Sequence, residues 1–390
     1  MALGFCPALL TNIEAVAESN APSRKLHISG FLAALFCCQN SAVNPVNQTN
    51  DGAHTRPLTV RYRVRPTLSA VQYEDDCDIN RIPAYAEWTV GTPTHVQSSF
   101  FLDDATIQRY CADASARVTT GQPPTQVMNE VYDLILEHAN ILVKAVNRVT
   151  VTQMATQFGN NTTTGSATGK IINIARDGNK YVLDNGVVQL MRDIQENEIC
   201  GDTCIVGGGL FAGFDIAQAM TCCNQAGMDV SKLGMPQFWF DKDTQQIWGQ
   251  NSIAVLAKGS VKFIGRNKYQ GAFAGQRGTS FFTTFPLPVQ EFGCNIDDCM
   301  RNLIFDLQLK YIDCPTTVTV NGVNTTVNRG WEVIISKEFA LWVQPTSAYA
   351  ADDQLSGSNG TLKYFVTNVA DAGGTTNSAV PLGAYAYAGF

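Results

Sequence analysis

Charge is what this sequence has least of. Asp, Glu, Lys and Arg make up 16% of its 390 residues, against roughly 25% in an average soluble domain. Charged side chains cover wetted surface, so a long chain with so few of them points to surface hidden against other chains. Its abundant Thr, Asn, Gln and Ser also face water readily, which tempers that inference. A basic excess is missing too. The net charge is −7, whereas a protein that grips phosphates carries a surplus of Lys and Arg. Sequence-specific DNA binding is disfavoured, while packing near DNA is not.

Other absences narrow the class further. Met1 to Asn20 contains no Lys or Arg, so the basic region of a secretory signal peptide is lacking. The apolar run Leu26 to Cys38 is shorter than the about 20 residues a bilayer span needs. It reads as a buried helix, and no membrane partner is expected. The four histidines, His27, His54, His95 and His138, are dispersed. No Ser, Cys or Asp has the neighbours of a nucleophilic triad. His138 falls on an apolar helical stripe and reads as a satisfied core or interface histidine. No internal repeat or coiled coil is visible.

Cysteine, by contrast, is plentiful, with twelve residues. A chain this long needs no disulfide scaffold, so free thiols in a reducing cytoplasm are the default, many acting as small buried hydrophobes. The close non-adjacent pairs are Cys200 with Cys204 and Cys294 with Cys299. Their spacings are loose for zinc and no histidine is near. A disulfide closed after release from the cell remains open for either pair.

The pattern along the chain is mixed. Asn40 to Arg56 is polar and turn-rich and reads as a loop or extended arm. From Thr59 to Arg65 residues alternate, with Val60, Tyr62 and Val64 on one face and Arg61, Arg63 and Arg65 on the other. An acidic cluster follows at Glu74, Asp75, Asp76 and Asp78. Ala84 to Val90 alternates again, with Trp88 on the apolar face. Together these predict a two-stranded ribbon, which is marginal in water unless it lies on a surface. Asp103 or Asp104 caps a short helix to about Ala114. After Pro123-Pro124, Val127, Val131, Leu134, Ile135, His138, Leu142, Val146 and Val149 form one stripe of a long helix. Gly159 to Gly169 reads as a boundary. Strands and helices then alternate. Strands are expected at 170–174, 204–206, 238–240, 253–257, 261–264, 281–285 and 303–312, and helices at 184–198 and 210–222. A hairpin is expected at Asn321-Gly322 and a strand pair over Trp331 to Trp342.

Two places invite a functional reading. The turn Gly207-Gly208-Gly209 joins a strand to a helix, a geometry that can cradle a phosphate. It lacks the lysine and spacing of a nucleotide loop, so a plain tight turn is the better reading. The Arg61, Arg63, Arg65 face fits a solvated edge strand or contact with acidic groups of another subunit equally well. Phosphate contact is the weakest reading in so acidic a chain. No catalytic, cofactor-binding or metal site is expected.

The order of parts (arm, charged ribbon, long helix, mixed domain, returning strands) resembles the major capsid proteins of tailed bacteriophages with the Hong Kong 97 fold. The chain looks especially similar to those of phages infecting Bacteroidetes. The residues carrying this are Ile82 to Val90, Asp103 to Tyr110, Gly330 to Val333, Ala340 to Pro345 and Leu355 to Tyr364. The resemblance implies an α+β capsid fold. Residues 1–56 would be the N-terminal arm, 57–100 an extended β-ribbon loop and 101–168 a peripheral domain with its spine helix. Residues 169–330 would be a mixed α/β axial domain, and 331–390 the return strands and tail. It implies a structural protein, not an enzyme, assembled in a bacterial cytoplasm. Copies would self-assemble as hexamers and pentamers into an icosahedral shell around packaged DNA, without sequence recognition. Portal, scaffold and decoration proteins would be further partners. Arg61, Arg63, Arg65, Glu74, Asp75, Asp76 and Trp88 are the expected inter-subunit contacts. Little room is left for a cleaved scaffolding segment ahead of the arm. The rival readings are an encapsulin-like nanocompartment shell, which would enclose an enzyme, and a nucleotide-binding enzyme using the Gly207–Gly209 turn.

Overall fold

The computed structural model describes residues 25–28, 30–38, 44–45, 58–64, 85–90, 93–109, 112, 126–158, 170–177, 180–182, 203–208, 237–249, 252–269, 274–289, 302–313, 316–320, 323–327, 329–345, 359–369 and 377–379. Among them are helices α1 (Gly30–Cys38), α2 (Gln126–Met154) and α3 (Lys242–Ile247). The strands are β1 (Asn44–Pro45), β2 (Leu58–Arg63), β3 (Tyr85–Val90), β4 (Thr94–Asp103), β5 (Lys170–Asp177) and β6 (Lys180–Val182). Next come β7 (Thr203–Gly207), β8 (Gln237–Phe240), β9 (Ser252–Ala257), β10 (Val261–Arg266), β11 (Gly275–Arg277) and β12 (Ser280–Pro288). The last are β13 (Asn302–Ile312), β14 (Thr316–Val320), β15 (Val323–Val327), β16 (Gly330–Val343), β17 (Thr361–Val369) and β18 (Asn377–Ala379). The class is α+β, as expected.

One strand organises the larger layer. β16 runs for 14 residues and pairs antiparallel with β4 along one edge, from Gly330 with Asp103 to Phe339 with Thr94. Its other edge is shared. β13 pairs with it from Gly330 to Ser336, and β10 from Glu338 to Val343. Strand periodicity sends Phe339, Leu341 and Val343 to the main core and Ala340 and Trp342 to the opposite face. Helix α2 lies on the first face, against β4 and β16. Its buried residues include Val131, Tyr132, Ile135, Leu136, Ala139, Leu142, Val143 and Val146, a wider stripe than the sequence pattern traced. The extra residues are buried because α1 packs against α2 as well.

The expected strand pair over Trp331 to Trp342 is corrected here to a single strand. The charged pair Lys337-Glu338 looks like a break in sequence but is buried in place. Strand β4 was not expected at all. Ser98 interrupts its inward register of Val96, Phe100 and Leu102, and that serine bonds His138 Nδ1 at 2.7 Å. The Asn321-Gly322 hairpin forms as read, with Val320 paired to Val323. A second sheet runs β6-β5-β17-β9-β7-β8, with β18 on β17. Its β17–β5 and β7–β8 pairs are parallel. The expected helices at 184–198 and 210–222 lie outside the described residues.

Helix α1 joins the two layers. All nine of its residues are buried, since a helix apolar all round must be enclosed. It packs on α2, β7, β8 and β10. Its first amides have no intrahelical acceptor. Phe31 N–H donates to Asp241 Oδ2 at 2.6 Å, and Leu32 N–H donates to Asn147 Oδ1 at 2.9 Å. Asn147 Nδ2 in turn donates to Asp241 Oδ2 at 2.9 Å. Asp241 also caps α3, with its Oδ1 accepting Asp243 N–H at 2.6 Å, and its own N–H donates to Gly207 O at 2.9 Å. At the far end, Gly259 N–H bonds Cys38 O at 2.9 Å.

The thiol expectation is also corrected. Cys204 is bonded to Cys38, 166 residues away, and not to Cys200. Cys37 is disulfide-bonded as well. Sequence spacing could not show the Cys38–Cys204 pair, because it is set by α1 lying beside β7. Cys200, Cys294 and Cys299 lie outside the described residues.

Gly30 tests the α1 junction. Its φ is +68°, and an added Cβ would sit 2.3 Å from Asp241 Oδ2. Gly30→Ala is expected to cost at least about 1–2 kcal/mol from the left-handed backbone alone, with the clash adding to it. A lower urea midpoint at unchanged slope would report this.

Candidate assembly surface

The ribbon forms where the alternation placed it. β2 and β3 pair antiparallel, with Val60 opposite Trp88 and Arg61 opposite Glu87. β1 adds a short edge through Pro45, opposite Val60, a position that tolerates a residue with no N–H. Val60 and Tyr62 are buried against Ile264, Ala340 and Trp342, and Trp88, Val90 and Ala86 pack around them. The Tyr62 and Trp342 rings lie 5.8 Å apart. The ribbon thus covers the face of β16 and β10 that α2 leaves open, on its own subunit. That supplies the surface a two-stranded ribbon needs.

Its other face is exposed. Arg61 and Arg63 point outward together with Tyr85, Glu87 and Thr89. The Arg61 guanidinium lies 4.4 Å from the centre of the Tyr85 ring, and Tyr85 is 54% exposed. Of the residues expected to meet a neighbour, Arg61 and Arg63 therefore share one outward surface. Trp88 does not join them. It is turned inward and half-buried, packed against the cluster of Val60, Tyr62, Ile264, Ala340 and Trp342 on its own subunit. Arg65, Glu74, Asp75 and Asp76 lie outside the described residues.

The Gly207–Gly209 turn is occupied by its own chain. Gly207 O accepts the Asp241 amide, and Gly208 is buried, with Gln245 side-chain atoms 3.0 Å from where its Cβ would be. Gly209 lies outside the described residues. Among the described residues, no helix is long and apolar enough to cross a membrane.

Sequence reasoning missed a buried cluster of charge where β13 and β10 exchange places along β16. Asp306 is fully buried. Its carboxylate accepts Lys268 N–H at 2.8 and 2.9 Å and Tyr269 N–H at 3.1 Å. Burial pushes its pKa up, against the pull of those amides and of Lys337 and Lys268. Lys337, 3% exposed, donates to Ile304 O at 2.7 Å and Asn267 Oδ1 at 2.9 Å. Burial pulls it down to about 8, opposed by Asp306 and Glu338. Glu338 pairs with Arg266 and, at 2.9 Å, with Lys268. Asp306 and Lys337 thereby bond backbone groups of Lys268, Tyr269 and Ile304 that lie beyond the ends of the β10 and β13 pairings with β16. The signal available in sequence was the Lys337-Glu338 pair inside an otherwise apolar strand.

Solved structures offer likenesses. The capsid of the cyanophage P-SCSP1u is similar at a TM-score of 0.38 with 9% identity, covering 88% of this chain and 90% of that one. A chain of Mycobacterium phage Adephagia scores 0.39 with 14% identity, covering 87% and 91%. The virus-like particle from Pyrococcus furiosus scores 0.33 with 9% identity, covering 92% and 96%. No family model and no curated protein matches the chain.

Three outcomes follow from these sites. Trp88→Asp puts a charge against Trp342's face of the sheet and is expected to cost about 2 kcal/mol or more, seen as faster proteolysis within the ribbon. Asp306→Ala strands the Lys268 and Tyr269 amides, at about 1–3 kcal/mol each, read from denaturant unfolding. His138 is buried and burial lowers its pKa below 6.5, with Glu137 opposing. Below pH 6.5 the unfolded state therefore binds more protons. Stability from this group is full above 6.5 and is lost as pH falls through the lowered folded value. His138→Gln is expected to flatten that slope in pH-resolved melts.

Proposed function

We propose that this chain is the major capsid protein of a tailed bacteriophage, similar to those of phages infecting Bacteroidetes. Many copies assemble into an icosahedral shell around packaged DNA. The observation that carries this reading is the ribbon. One face is fixed to its own subunit, and the other offers Arg61, Arg63, Tyr85, Glu87 and Thr89 outward. In a chain with only 16% charged residues, this face gathers two arginines and an exposed aromatic, residue types enriched at protein–protein interfaces. The sequence resemblance supports the same role through the order arm, ribbon, spine helix, mixed domain and return strands. In that scheme α2 is the spine helix, and the segments 1–56, 57–100, 101–168, 169–330 and 331–390 take the roles named above. The acidic stretch Glu74, Asp75, Asp76 of a neighbouring copy has the chemistry to meet Arg61, Arg63 and Arg65. Standard interfaces bury about 1,600 Å², and many such contacts per subunit act together as avidity.

Assembly takes place in the host cytoplasm, with hexamers and pentamers as intermediates and portal and scaffold proteins as partners. Neither catalysis nor a bound cofactor is part of the role. The chain's acidity limits its adhesion to DNA.

Charge reversal tests this without touching the core. Arg61→Glu combined with Arg63→Glu is expected to leave a folded, soluble subunit that forms no closed particles, by light scattering and negative-stain microscopy. Trp88→Asp should also stop shell formation, by loosening the ribbon. Normal shells from the double arginine variant would remove the ribbon face from assembly. Particles carrying an enzyme instead of DNA would favour a nanocompartment.

A further inference from the structure

Helix α2 carries a stripe of charge on the side turned away from the core. Asp133, Glu137, Ile141, Lys144 and Arg148 are all exposed, while the other sides of the helix pack on α1, α3, β4 and β16. Spacings of three and four put the five on one narrow face. The charges on it are sorted. The acids stand towards the start and the bases towards the end, with Ile141, 48% exposed, between them. Within one helix that sorting is unfavourable. Asp133 and Glu137 stand four residues apart, as do Lys144 and Arg148, so each like-charged pair repels. The helix dipole does not account for the order, because its pull is confined to the first and last turns and α2 runs from Gln126 to Met154. Among the described residues, none of these four charged side chains is in an ion pair.

We propose that α2 pairs antiparallel with α2 of a second copy of this chain. Glu137 and Lys144 lie equally far on either side of the point between Asn140 and Ile141, and so do Asp133 and Arg148. A two-fold axis through that point sets Glu137 against the partner's Lys144 and Asp133 against the partner's Arg148, both in one register. The same patch serves both copies, as a two-fold contact requires. Ile141 lies beside the axis, where the partner helix shields it from water. A parallel arrangement would set acid on acid, so the charges select the direction. One helix face buries less than the about 1,600 Å² of a standard interface. The pairing is therefore weak alone and sensitive to salt, and it adds to the contacts of the ribbon within an assembly. That last role rests on the shell-forming reading, whereas the pairing itself does not.

Cross-linking of the full chain tests the pairing whether or not particles form, so the two readings fail separately. Unlabelled and heavy-nitrogen chains are mixed as soluble subunits at low salt and treated with a zero-length carbodiimide. Linked peptides joining Glu137 to Lys144 are expected as mixed light–heavy pairs. A chain carrying Asp133→Lys and Glu137→Lys has an all-basic stripe, and one carrying Lys144→Glu and Arg148→Glu an all-acidic stripe. Each should lose at least about nine-tenths of the cross-linked dimer when alone. Mixing the two should restore it, with one copy of each variant in every dimer. Links found only within single chains overturn the proposal. So does a mixture of the two variants that stays monomeric, or a dimer that either variant forms alone as readily as the parent chain.

Discussion

A helix without a polar side chain brings nothing of its own to satisfy its first amides, and burying those amides unpaired would cost about 1–3 kcal/mol each. Helix α1 is in that position. Asp241 and Asn147 supply the acceptors from two other elements, and the same two side chains hold each other. Through them the middle of α2, the cap of α3 and the end of β7 are fixed around one point. The two sheets therefore have a defined relation where they meet α1. Gly30 belongs to this junction because only a residue without Cβ fits against Asp241 in that backbone conformation.

The second constraint is that β16 is covered on both faces and bonded on both edges. α2 takes one face and the ribbon takes the other. Because β13 and β10 share one edge in succession, the sheet has a branch, and the branch leaves polar backbone groups inside the protein. Asp306 and Lys337 bond those groups. The ribbon's placement follows from the same strand, since Ala340 and Trp342 must be buried by something, and Val60, Tyr62 and Trp88 do so. What is left outward on the ribbon is Arg61, Arg63, Tyr85, Glu87 and Thr89.

Periodicity made much of this legible. The alternation in β2 and β3 gave both faces of the ribbon correctly, the apolar run gave α1, and the 3.6-residue stripe gave most of α2. The features that escaped are those where tertiary context overrides the local pattern. Ser98 conceals β4 because its hydroxyl is satisfied by a histidine forty positions on. Lys337-Glu338 conceals the continuity of β16 because its charges are met by residues from other strands. Helix α3 escaped because it is only six residues long and owes its start to Asp241. The Cys38–Cys204 bond has no local signature. On the ribbon, Arg61 and Arg63 stand outward and Trp88 inward, as alternation put them, whereas no local pattern in the sequence says what a neighbouring chain would touch.

Helix α1 also sets a problem of timing. It precedes in the chain the elements that bury it: α2 starts at Gln126, β7 at Thr203 and β10 at Val261. Until those arrive, nine apolar residues have no place to bury, and Cys38 has no Cys204 to meet. A growing chain with such a segment exposed is prone to aggregate. The helix that holds the finished subunit together is thus the segment for which a chaperone matters most during synthesis, and the nascent chain remains at risk until β10 has been made.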